Sequence, residues 1–183
     1  LLRLVEAMAT HAPGAPLVSP TRSTPAATHG PAHGLARIVR TTADAAPLVA
    51  RLTLGIVIFP HGAQKVLGWF GGHGLNATMS LFTAQMGIPA VFAALAIAAE
   101  FLGSIGLIVG ALSRIAAFGI ACVMATALAL VNARVGFFMN WMGTQRGEGF
   151  EFHLLAIGLA LVVMIAGAGR LSVDRWLTKR LPA

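Results

Sequence analysis

A histidine and a lysine one helical turn apart stand near the end of a long apolar stretch, in His61-Gly62-Ala63-Gln64-Lys65. Residues four apart on a helix share a face, so the two side chains point the same way. A carboxylate, Glu100, falls inside a second apolar stretch, and Glu151 and His153 open a further one. Imidazole, ammonium and carboxylate groups in an apolar setting can hydrogen-bond a ligand carbonyl and carry a proton to or from it. They are costly there. A charged side chain at the centre of a membrane helix costs about 3 kcal/mol on insertion scales, so each must be neutral, paired or facing water.

The elements that hold these residues are membrane helices. Of the 183 residues, 57% are hydrophobic and 10% charged, with a mean hydropathy of +0.80; soluble domains carry about 25% charged residues. Apolar runs over residues 48–67, 89–112, 115–131 and 150–168 are each long enough to cross about 30 Å of hydrocarbon. The expected fold is therefore all-α: a polytopic transmembrane four-helix bundle. Asp44 and Pro47 suit the start of the first span. Pro60 removes a hydrogen bond just before His61 and should kink it, and Arg51 can snorkel to the headgroups. Residues 75–87 read as a short interfacial helix. Trp69-Phe70, Phe137-Phe138 and Trp141 sit where aromatic rings favour the interface. The pairs Trp69-Phe70 and Phe137-Phe138 have a second use, as walls of a flat-ring site. Gly106 and Gly110 have the spacing that lets helices approach closely.

Four spans put both termini on one side. Of the 13 Lys and Arg, only Lys65, Arg134 and Arg146 fall on the other side, leaving ten with the termini. The positive-inside rule then places both termini in the cytoplasm. These cations flank apolar runs and form no stripe, which excludes nucleic acid as a partner. Cys122, inside an apolar run, is expected to be a buried small hydrophobe. His29 and His33 lack a third ligand, so no metal site is expected.

The chain divides into three parts. Residues 1–36, rich in Ala, Pro, Thr and Gly, form a disordered or partner-bound tail. Residues 37–175 are the membrane domain, and residues 176–183 a basic tail. Within the membrane domain, topology brings His61, Gln64, Lys65, Asn132, Glu148, Glu151 and His153 to the outer third, with Glu100 about 7 Å deeper by helix rise. The depth match predicts a Lys65–Glu151 ion pair at the mouth of a cavity, lined by His61 and floored by Glu100. The plainer alternative is that these pairs only fix helix packing.

At Arg51-x-x-x-Gly55, His61-Gly62-x-x-Lys65, Gly68-Trp69-Phe70-Gly71-Gly72-x-Gly74, Glu100-x-x-Gly103, Gly110-x-x-x-Arg114, Gly136-Phe137-Phe138 and Glu151-x-x-Leu154-Leu155 the chain resembles the DoxX family of small four-helix bacterial membrane proteins. The resemblance covers about residues 46–175. Asn132 stands where the family often has a His ahead of Gly-Phe-Phe. The resemblance implies a multi-pass protein of the bacterial inner membrane, associated with oxidoreductase complexes such as a thiosulfate:quinone oxidoreductase. On that basis the chain is expected to be a membrane subunit of an oxidoreductase complex. His61, Lys65, Trp69, Glu151 and His153 would hold a quinone, and Glu100 would relay a proton. The alternative is an anchoring subunit of a larger assembly without catalytic activity of its own. A third reading is a proton or small-solute pathway through Glu100, which would need a homo-oligomer. Membrane lipids and protein partners are expected in each case.

Overall fold

The computed structural model describes residues 31–180, and among these every regular element is helical. The tail expected over residues 1–36 lies outside the described residues except for its last six, which open helix α1 (Pro31–Val39). The first apolar run forms α2 (Ala45–Leu67), with Asp44 at the N-cap position and Gly68 closing it at φ 71°. Glycine suits this left-handed cap because it has no Cβ. The Asp44 side chain makes no capping hydrogen bond. The helix continues through Pro60, whose missing N–H leaves the Ile56 carbonyl without its donor.

A glycine-rich loop leads to α3 (Gly74–Ser80), which runs into a π-helical turn, Leu81–Gln85. Then come α4 (Ala90–Val109), α5 (Ser113–Leu130), a single 3-10 turn at Asn132–Arg134, α6 (Glu151–Ala166) and a short α7 (Val173–Thr178). Helix α2 packs against α4 and α6, and α5 packs against the same two helices. The core between them is made of Leu54, Ile58, Leu107, Ala117, Ile120, Ala160 and Val163, all fully buried. Their outward neighbours Val57, Leu95, Leu102, Phe118, Leu155 and Ile165 are large, apolar and exposed. That inside-out pattern suits lipid rather than water.

Three helices, α2, α4 and α5, are long and apolar enough to cross a membrane. The fourth, α6, has 16 residues where the sequence suggested 19. It spans about 24 Å, because Gly167 turns the chain at φ 83°.

Two further expectations change. Cys122 is exposed, on the outward side of α5, since helical periodicity turns it away from the buried Ile120 and Met124. Arg51 does not snorkel. It is 1% exposed, and its guanidinium donates to the carbonyls of Leu107, Ile108, Ala168, Arg170 and Leu171. Helix ends leave carbonyls without donors, and one side chain here caps α4 and the chain beyond α6 together. Close by, buried Asp174 accepts the N–H groups of Leu112 and Ser113 at the start of α5. Gly55, one turn from Arg51, lets α4 approach. A Cβ there would lie 3.0 Å from the Ser104 carbonyl oxygen.

Candidate functional site

The polar residues of the opposite end begin about 21 Å along α2 from Arg51, by helix rise from residue 51 to residue 65. Here Gly62 does for α4 what Gly55 does lower down. A Cβ on Gly62 would lie 2.6 Å from the Phe101 Cα and 2.8 Å from the Glu100 carbonyl carbon. The missing side chain lets the α4 backbone press against α2 at the level of Glu100. That explains the glycine in His61-Gly62-x-x-Lys65. Side chains on a helix lean toward its N-terminus, so Lys65, one turn beyond Gly62, reaches back to this level.

The result is an ion pair between Lys65 and Glu100, Nζ to Oε2 2.5 Å. It is the only salt bridge among the described residues. Glu100 is 5% exposed at the middle of α4, and no hydrogen-bond donor other than this ammonium satisfies its Oε2. Lys65 therefore does not pair with Glu151. The depth match placed the two at one level, but close packing of α2 on α4 at Gly62 brings Glu100 within reach first. Glu151 accepts instead from the Met139 N–H at 2.9 Å and from the Trp141 indole N–H at 3.2 Å. It pins the loop between α5 and α6 and stands apart from the pair.

His61 is exposed on α2 and within electrostatic reach of Lys65, Glu100 and His153. Its ring lies 6.3 Å from that of Phe152, which in turn meets His153 edge-on at 5.7 Å. The Nδ1 of His153 is buried without a hydrogen-bond partner. A buried polar atom left unmet is uncommon and calls for a partner. Phe59 stacks on Phe101 at 6.1 Å, beside the pair. His61, Lys65, Glu100 and His153 thus come together from α2, α4 and α6.

Lys65 also lines an open cleft of about 240 Å³, with Gln64, Gly72, His73, Thr78 and Phe82. Gln64 donates to the Phe70 carbonyl at 3.0 Å, and the buried Thr78 hydroxyl donates to the carbonyls of Gly74 and Lys65. These contacts hold the glycine-rich loop and α3 against the end of α2. The cleft is smaller than the roughly 300–1,000 Å³ usual for a ligand pocket. It leaves the Lys65 side chain partly exposed. Trp69 is 54% exposed, edge-on to Phe70 and outside the cleft lining.

The arrangement is an ion pair with an open cleft at Lys65. His61, Phe152 and His153 stand beside it, with the Nδ1 of His153 left without a partner. Chemically, ionisable side chains gathered in this way can give and take a proton. Two features of the molecule escaped sequence reasoning: the burial of Arg51 and the role of Asp174. The second left a faint signal, since Ser172-Val173-Asp174 has the residue types of a helix start, and Ser172 does cap α7.

Residues 46–133, from α2 through the 3-10 turn after α5, match the model of the DoxX family. The match includes His61, Lys65 and Glu100 and stops short of α6. No curated protein and no solved structure matches the chain.

Proposed function

Starting from a multi-pass membrane protein that carries a DoxX domain, we propose that the chain is a membrane subunit of an oxidoreductase assembly. In this reading a quinone head sits beside His61 and His153, and the Lys65–Glu100 pair exchanges a proton with it. The observation that carries the proposal is the ion pair itself. Its carboxylate lies at the middle of an apolar helix, its ammonium lines an open cleft, and two imidazoles stand close by. Ionisable groups gathered next to an opening are a mark of functional sites. The electrons come from the partner protein, and this chain holds the ring and supplies the proton.

The same proposal has α6 crossing the membrane with α2, α4 and α5, and both termini in the cytoplasm. The cleft then opens on the outer face. A cysteine placed at His73 should react with an impermeant thiol reagent added outside intact cells, and labelling from the cytoplasmic side alone would reverse the orientation. The function is tested by purification in mild detergent. Quinone should be extracted with the wild type and its partner assembly, and His61→Ala should lose the quinone while keeping the partner. A partner retained with no quinone in either protein would favour an anchoring subunit.

A further inference from the structure

The end of the molecule that holds Arg51 carries a set of cations that the site above does not use. Helix α7 is clamped there by the Asp174 N–H donating to the Gly110 carbonyl and by the Thr178 hydroxyl donating to the Val39 carbonyl at the end of α1. Arg114 and Arg175 are spent on the backbone, on Arg40, Met164 and Thr42. Five others remain: Arg37, Arg40, Arg170, Lys179 and Arg180, all exposed. Among the described residues none of the five has a carboxylate partner, since the one salt bridge lies at the other end.

Apolar side chains accompany them. Val173 and Trp176, three apart on α7, share a face, and Arg180 follows just past the end of the helix. Val173 and Trp176 are both exposed, and Leu171 just before α7 is 83% exposed. The Arg180 guanidinium lies 4.0 Å over the Trp176 ring, an arrangement worth most where water is scarce. A soluble anion would use the cations and leave these rings and aliphatic chains in water. A bilayer surface uses both, with apolar groups at the acyl boundary and cations among the headgroups. The position agrees, because the ends of three apolar helices long enough to cross a membrane meet here.

We propose that α1 and α7 form a rim that binds the phosphate headgroups of anionic phospholipid, with Trp176 and Leu171 dipping beneath it. The site is separate from the quinone proposal and stands without it. The test uses the full chain in nanodiscs of phosphatidylcholine alone and of phosphatidylcholine with phosphatidylglycerol. The wild type should unfold several degrees higher with phosphatidylglycerol. The shift should vanish in the fourfold variant Arg37→Gln, Arg40→Gln, Lys179→Gln, Arg180→Gln, and persist in Arg134→Gln with Arg146→Gln at the other end. Where the fourfold variant shows no folding transition, salt decides: 1 M NaCl, with a screening length of about 3 Å, must remove the wild-type shift. Equal unfolding temperatures for the wild type in the two lipids would overturn the proposal. So would a shift that survives the four substitutions or the salt. Inorganic phosphate producing the same shift in phosphatidylcholine nanodiscs would reassign the rim to a soluble anion and overturn it as well.

Discussion

The two ends of α2 each bury charge, and they do it differently. At Arg51 the charged group meets backbone, donating to five carbonyls while Asp174 takes two N–H groups. At Lys65 the charged group meets another side chain, Glu100, and little else. The first arrangement satisfies helix ends that would otherwise lack partners, so its members cannot move without undoing the fold. The second joins two side chains from two helices, with an open cleft at Lys65 and an unmet imidazole nitrogen nearby. Such a pair can change its protonation or partner while the helices stay in place. Backbone-bound charge builds the molecule, and charge bound to side chains is available for chemistry.

Substitutions should separate the two ends. The largest loss is expected for Arg51→Ala, which leaves several buried carbonyls without a donor. It should cost about 3–5 kcal/mol, read as a collapse of the unfolding transition in detergent. Adding Asp174→Asn should not restore it, because the carbonyls remain unmet. A loss below about 1 kcal/mol would remove the distinction drawn here.

Lys65→Met strands the Glu100 carboxylate and should cost on the order of 3 kcal/mol. Here a second change should help. Lys65→Met with Glu100→Leu removes both charges and should recover most of the stability, since an apolar pair often replaces a buried ion pair without loss. The recovered protein should remain inactive. If the double variant is as unstable as the single one, the pair is part of the framework after all.

Smaller effects test the glycines that set the pair. Gly62→Ala puts a methyl 2.6 Å from the Phe101 Cα and should cost about 1–3 kcal/mol, with reduced turnover as Lys65 and Glu100 move apart. Gly158→Ala meets nothing within 4 Å on α6. It should be neutral, or stabilising by about 0.5–1 kcal/mol. Equal losses at the two positions would show that α2 and α4 are not held by close contact at Gly62.

The membrane helices were readable because apolar runs of that length have few other uses, and their ends fell within a few residues of the runs. The meeting of His61, Lys65, Glu100 and His153 was readable from depth alone. Depth could not choose a partner for Lys65, because Glu100 and Glu151 differ in which helix face they occupy, and that depends on how closely α2 and α4 pack. Gly62 held that information, but a glycine in an apolar run looks the same whether it faces open space, as Gly158 does, or a backbone. Arg51 misled for a related reason. An arginine near a span end suits the headgroups, and the carbonyls that capture it come from residues 56 to 120 positions away.

The most direct test is turnover per assembled complex for Glu100→Gln. Glutamine keeps an oxygen for Lys65, and Lys65 keeps its access to the cleft, so assembly and unfolding temperature should stay near wild type. Loss of the carboxylate should lower quinone reduction by about a hundredfold or more, the usual weight of a proton-transferring group. Wild-type turnover by a fully assembled Glu100→Gln complex would contradict the account, and the Lys65–Glu100 pair would then join Arg51 as framework.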